Sequence, residues 1–215
     1  MIGGAIFDVD GTLLDSMPVW HGCGVRYLKS IGIEAEPGLS EFLFTQTNET
    51  GAVYMVEHYG LDRTPEEVAD GMNREMERFY ESEALPKHGA VELLDRLAEQ
   101  RVPMTVATST DRYLVEKAFD RLGLGKYFMA VLTCTDVGAT KSEPLIFEEA
   151  AEIMGAAPGN TWVFEDGLYA IKTAHDAGFK TAAVFDEISG RDWDEMVKIA
   201  DINVNDLSEL IREVG

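Results

Sequence analysis

From about residue 90 onward the chain alternates helical and strand-like patterns joined by short links, and this rhythm leaves few folds open. Val91, Leu94, Leu97 and Ala98 recur at helical spacing, and a strand-like run follows at 102–107. Asp111 then caps a helix that carries Val115, Ala118, Phe119 and Leu122 and stops at Gly123. A strand at 128–132, a helix at 143–154, a strand at 161–164, a helix at 168–177 and a strand at 180–184 come next. A helix at 192–199, a short strand at 202–204 and a last helix at 207–214 close the series. Strands joined through helices by short links must lie parallel, with both sheet faces covered. The expected class is α/β, a doubly wound parallel sheet with a Rossmann-like core.

The first strand stands apart. Residues 3–7 are short and apolar and read as a buried strand. Residues 16–85 then abandon the alternation. Met17-Pro18 suits a first helical turn. Val25, Leu28 and Ile31 form one apolar face that Gly32 ends, and short helical stretches are expected at 42–44 and 51–59. Thr64-Pro65-Glu66-Glu67 is an N-cap followed by proline and two acids, which opens a helix carrying Val68, Met72, Met76, Phe79 and Tyr80. The expected organisation is an α/β core from residues 1–15 and 86–215, with a small all-helical domain inserted at 16–85. The two chain crossings, at 15–16 and 85–89, would be hinges.

The formal charge of −21 on 215 residues disfavours nucleic acid and anionic membranes as partners, since no counterion release is on offer. An acidic chain still binds an anionic substrate where a metal ion and local donors invert the field. Cys23 and Cys134 are far apart in sequence and match no metal-ligand spacing, so they read as buried thiols of a reducing cytoplasm. Asp8 interrupts the first apolar run before a signal sequence could form, and no run approaches the roughly 20 residues of a membrane span. A cytoplasmic monomer or weak homodimer is expected.

Ligands of an open parallel sheet sit beyond the carboxyl ends of its strands. Polar residues stand at four of those ends: Asp8 and Asp10 after the first strand, Thr108, Ser109, Thr110 and Asp111 after the second, Lys141 in the loop after the third, and Glu165 and Asp166 after the fourth. Each alone has an ordinary reading as a turn, a helix cap or a surface charge. Their convergence on one rim points to phosphoryl transfer. A phosphate monoester is a dianion that repels a carboxylate nucleophile. A cation held by Asp8 and Asp166 removes that repulsion, and oxygen ligands suit Mg²⁺. Asp8 could then attack phosphorus and Asp10 could move the proton. Lys141, the Thr108 hydroxyl and nearby N–H groups would hold the phosphoryl oxygens.

The motif Asp8-Val9-Asp10-Gly11-Thr12, with Thr108, Lys141 and Glu165-Asp166 in order, resembles the haloacid dehalogenase-like hydrolase superfamily. The whole chain is most similar to its helical-cap branch of phosphoglycolate phosphatase-like and β-phosphoglucomutase-like proteins. The resemblance implies Asp8 as nucleophile, Asp10 as acid and base, and Thr108 and Lys141 as the second and third motifs. It implies Mg²⁺ on Asp8, the Asp10 carbonyl and Asp166, with Glu165 supporting the metal or Lys141, and a flap at 11–16 that couples cap closure to chemistry. Two stretches depart from the family's pattern. Lys141-Ser142-Glu143-Pro144-Leu145 stands where Lys-Pro-x-Pro-Asp is common, and Gly167 and Ala170 stand where serine and glycine are common.

Trp20 and His21 fall where β-phosphoglucomutase places a histidine, and residues 44–49 contain no base to hold a second phosphate. That favours a phosphatase of a small phosphorylated metabolite, a sugar or polyol phosphate, over a phosphomutase. Gln46, Asn48, Trp20, His21 and Ser109 are the candidate substrate contacts, although Gln46 to Glu49 read equally well as caps for the next helix. A phospho-acceptor signalling module shares the fold and the Asp, Thr and Lys at strand ends, but it needs neither Asp10 nor a helical insert. Dehalogenation needs no second acid, and phosphonoacetaldehyde hydrolysis needs a cap lysine, for which Lys29 late in its helix is badly placed.

Overall fold

The structure, a computed structural model, describes residues 2–212. The chain divides into two compact units, Met1–Ser16 with Ala84–Gly215, and Met17–Glu83. Strand β1 (Gly4–Phe7) opens the first unit and is buried at every position.

The second unit is helical throughout its regular structure: α1 (Met17–His21), α2 (Cys23–Ser30), α3 (Leu39–Leu43), α4 (Asn48–Tyr59) and α5 (Pro65–Ser82). Both longer helices start on a capping box, Thr47 with Thr50 and Thr64 with Glu67. The box at Thr47 moves the start of α4 three residues ahead of the expected 51. The unit's core joins Tyr27, Leu28, Leu39, Ala52, Met55, Val68 and Met72. Gly71 lets α5 approach α2, because a Cβ there would lie 2.1 Å from the Tyr27 ring.

The first unit resumes with α6 (Ala90–Glu99), β2 (Met104–Thr108), α7 (Arg112–Leu122), β3 (Val131–Thr133) and the short α8 (Cys134–Val137). It continues through α9 (Leu145–Met154), β4 (Thr161–Glu165), α10 (Leu168–Asp176), β5 (Lys180–Val184), α11 (Trp193–Ile199) and β6 (Ile202–Val204). The six strands form one sheet in the order β3-β2-β1-β4-β5-β6, every pairing parallel. The doubly wound class expected from the alternation is the one present. A core of Ile6, Ala107, Val163, Ile146, Phe147 and Ala170 with their neighbours lies between sheet and helices.

Five local expectations need correction. The strand expected at 128–132 is confined to Val131–Thr133, because the Phe128 ring packs on Phe119 at 5.4 Å and edge-on to Phe7 at 6.1 Å. The helix α8 was not expected; the Thr133 hydroxyl accepts from the Asp136 N–H and starts it. Asp111 occupies the N-cap position of α7 without a side-chain capping bond. The last helix expected at 207–214 is a 3-10 segment over Leu207–Arg212, with residues 213 and 214 outside the described residues. Its backbone runs against Gly89, where a Cβ would meet the Ser208 nitrogen at 2.1 Å. Both cysteines are free thiols and half-buried rather than buried. No helix among the described residues is long and apolar enough to cross a membrane.

Candidate active site at the strand ends

The central pair β1 and β4 sets the site. Phe7 pairs with Phe164 in register, and their rings stack at 4.4 Å. One residue further along each strand, Asp8 and Glu165 therefore end up beside each other where the strand order turns at β1. This is the crevice where a doubly wound sheet holds its ligand. Asp166 follows directly, and one carboxylate oxygen each from Asp8, Glu165 and Asp166 lie within 4.8 Å of one another, all three residues being buried.

Lys141 enters this cluster from the loop between α8 and α9 and is 1% exposed. Its ammonium donates to Asp8 Oδ1 and, at 2.7 Å, to Glu165 Oε2. The other Glu165 oxygen accepts the N–H groups of Asp166 at 3.2 Å and Gly167 at 3.0 Å. Asp166 Oδ2 accepts the Ser189 hydroxyl. Burial pushes Asp8 up to about 8, and the charge on Glu165 adds to that, while Lys141 pulls the other way. Burial also pushes Asp166 well above the carboxylate range, with Glu165 and Asp8 adding and the Ser189 bond opposing. Burial pulls the Lys141 ammonium down, but Asp8 and Glu165 more than offset it and keep the lysine charged.

Three carboxylates against one ammonium leave two negative charges uncompensated when all are ionised. Hard oxygen donors in a buried cluster with that excess charge fit a divalent cation. Burial first, and the like charge of the neighbouring acids second, raise Asp8 and Asp166, and a bound cation would oppose both effects.

Asp10 lies outside the acid cluster. Its two carboxylate oxygens accept the hydroxyls of Ser16 and Thr110, each at 2.6 Å. Thr108 is fully buried, and its Oγ1 accepts the Thr110 N–H at 3.0 Å, which leaves its own proton for another acceptor. Ser109 is exposed at the end of β2, 3.5 Å from Cys134 Sγ.

The remaining candidates sit in the helical unit. Trp20, His21, Gln46 and Asn48 line one pocket of about 240 Å³, together with Thr47 and Asn73 among others. Trp20 donates its indole N–H to the Tyr80 hydroxyl at 2.8 Å, and Asn48 donates to Asn73 at 3.1 Å. The His21 ring lies 5.2 Å from the Phe44 ring. Among the described residues, no lysine or arginine lines this pocket.

Sequence reasoning gave no role to Ser16, Thr110, Ser189 or Tyr169. Ser16 and Thr110 stood within segments already marked as the flap and the second motif. Tyr169 had a fainter signal in Gly167. A Cβ at 167 would lie 3.1 Å from Tyr169 Cε1 and 3.2 Å from Glu165 Oε1, so the missing side chain and the tyrosine go together. Burial pushes the Tyr169 phenol up to about 12, with Glu165 adding, so it stays neutral.

The fold and its strand-end acids define a doubly wound protein with a carboxylate-centred site. The model of the haloacid dehalogenase-like hydrolase family matches residues 2–178, and the chain belongs to that family. Among its relatives, fructose-1-phosphate phosphatase of Escherichia coli is 30% identical over 183 residues, spanning 84% of this chain and 95% of that protein. N-acetylmuramic acid 6-phosphate phosphatase of Pseudomonas aeruginosa is 30% identical over 184 residues, spanning 83% of this chain and 80% of that one. A Thermotoga maritima crystal structure provisionally named as a β-phosphoglucomutase has the same fold, with a TM-score of 0.87 at 23% identity, covering 98% and 97% of the two chains.

Proposed function

We propose that this hydrolase is a Mg²⁺-dependent phosphatase of a small phosphorylated sugar or polyol, acting through an aspartyl phosphate on Asp8. The observation that carries the reading is the buried cluster of Asp8, Glu165 and Asp166 around Lys141, whose carboxylate oxygens lie within 4.8 Å of one another and suit a divalent cation. Asp8, the Asp10 carbonyl and Asp166 would hold Mg²⁺, with Glu165 behind them, and the bound ion supplies the positive charge that lets a carboxylate approach a phosphate dianion.

The chain's own groups supply the rest. Asp8 Oδ attacks phosphorus, and the bond to the leaving oxygen breaks. Asp10 delivers a proton to that oxygen, then accepts one from the water that cleaves the acyl phosphate. The hydroxyls of Ser16 and Thr110 fix the Asp10 carboxyl for both tasks. Lys141 and the Thr108 hydroxyl bind the phosphoryl oxygens. The helical unit, residues 16–85 with its pocket, is the cap that recognises the organic part of the substrate through Trp20, His21, Gln46 and Asn48, with Ser109 on the core side.

The relatives named as sugar phosphatases favour hydrolysis. So does the pocket lining, since a phosphomutase must hold a second phosphate and the lining offers no lysine or arginine. The test is a panel of phosphomonoesters with Mg²⁺, including fructose 1-phosphate, other hexose phosphates, phosphoglycolate and β-glucose 1-phosphate. Phosphate release from one of them at a kcat/KM of about 10⁴ M⁻¹s⁻¹ or more is expected. Isomerisation of β-glucose 1-phosphate without phosphate release would replace the phosphatase reading with the mutase one.

A further inference from the structure

Lys87 is an almost buried lysine that no step above uses. It belongs to the Pro86-Lys87-His88-Gly89 crossing, yet its side chain is only 13% exposed. Its ammonium has three acceptors on two distant segments: the carbonyl of Gly11 at 2.8 Å, the carbonyl of Phe185 at 2.9 Å and Asp186 Oδ2 at 2.9 Å. A buried ammonium needs such a complement, and three bonds match its three protons.

Each acceptor leads to the site. Gly11 follows Asp10 and takes a positive φ of 80° in the tight turn closed by the Leu13 and Leu14 N–H groups on the Val9 carbonyl. The Lys87 N–H donates to the Leu13 carbonyl at 2.9 Å, and Leu14 bridges Pro86. One residue therefore holds the Asp10 turn at two points, by main chain and by side chain. On the other arm, Asp186 is 6% exposed, and its second oxygen accepts the N–H groups of Ile188 at 2.9 Å and Ser189 at 3.4 Å. That folds the loop after β5 into a turn which delivers the Ser189 hydroxyl to Asp166 Oδ2.

We infer that Lys87, Asp186 and Ser189 form a positioning relay that ties the Asp8–Asp10 turn to the Asp166 carboxylate and sets the spacing of the metal-binding oxygens. The inference rests on the divalent-metal reading of the site. Lys87 touches no substrate; it acts by fixing two segments that each contribute to the cation site. Partners behind metal ligands typically govern affinity by about 10–100-fold, and the relay has the same reach here.

The test measures Mg²⁺ affinity of the full chain directly, by calorimetry and by the Mg²⁺-induced rise in Tm, for the parent, Lys87→Met, Ser189→Ala, Ser189→Thr and the Lys87→Met/Ser189→Ala pair. Lys87→Met and Ser189→Ala should each weaken Mg²⁺ binding about tenfold or more. Ser189→Thr keeps the hydroxyl and should bind within about threefold of the parent. Because the residues act in series, the double variant should lose little beyond the larger single loss. Should Lys87→Met fail to fold, Ser189→Ala and Ser189→Thr decide alone, since Ser189 is only half-buried. Variants that melt earlier without metal yet bind Mg²⁺ within twofold of the parent would overturn the relay and leave the three residues a structural role. A parent that binds no Mg²⁺ would overturn the metal reading and the relay with it.

Discussion

Lys141 and Gln46 mark two regions built on different terms. Lys141 is 1% exposed, bonded to two carboxylates from different strand ends, and fixed by a sheet whose registers set those ends. Gln46 is exposed, and its bond runs to its own neighbour Thr45 at 3.1 Å. The chemistry-bearing residues of the core are thus part of the packing, and changing one disturbs charges that have nowhere else to go. Gln46 and Asn48 project from a scaffold already secured by its capping boxes and by the Tyr27–Gly71 approach. They can be exchanged with little cost to folding, which is the condition under which specificity diverges while a reaction is kept.

That contrast sets an order of expected effects. Asp8→Asn should lower kcat by at least about 10³-fold, with circular dichroism unchanged; retained turnover would remove Asp8 as nucleophile. Lys141→Met should cut kcat/KM by about 10²-fold or more. It should also destabilise the metal-free protein by about 3 kcal/mol, seen as a Tm drop of about 6–12 °C. An unchanged melting curve would mean that the cluster is not charged as described.

The third effect is the pH dependence of the metal-free protein. Asp8 and Asp166 are raised in the folded state, so between the ordinary carboxylate range near 4 and about 8 the native state binds more protons than the unfolded one. Stability must then fall as pH rises through that window. In chelator, Tm should decline by several degrees from about pH 5 to about pH 8, and saturating Mg²⁺ should flatten the slope. A Tm that rises over the same interval in chelator would contradict the crowding of the three acids. The smallest effect belongs to the pocket. Asn48→Ala or Gln46→Ala should raise KM by about 2–10-fold for the preferred substrate, with kcat within twofold and Tm within about 2 °C. A large loss of kcat from either change would place the pocket residues inside the chemistry and dissolve the comparison.

Most of the sheet was legible because its strands are short apolar runs that follow helices stopped by glycines such as Gly123 and Gly155, and because acids at strand ends have no packing reason to be there. Asp8, Lys141, Glu165 and Asp166 could be placed together from their order alone. Phe128 was misread because an aromatic run looks the same whether it joins the ladder or packs its rings into the core. The helix Cys134–Val137 was missed since four residues carry no period, and only Thr133 with Asp136 announces it. Lys87 and Asp186 escaped for a different reason. They are 99 positions apart, and a single lysine facing a single aspartate leaves no pattern until the sheet brings them together.

The place of β1 in the middle of the sheet has a further consequence, for the order in which the molecule can be assembled. Its partners are Met104–Thr108 on one side and Thr161–Glu165 on the other. A ribosome adding about 5–20 residues per second therefore holds the first strand unpaired on one edge until β4 emerges, on the order of ten seconds later. The helical unit is compact within Met17–Glu83, with a core drawn from Tyr27, Leu28, Leu39, Ala52, Met55, Val68 and Met72. Asp8 is made well before Lys141 and Asp166, yet it joins Asp166 only at that late pairing. The sheet is thus completed late in synthesis, and substitutions that weaken β4 should show first as poor yield rather than as poor turnover.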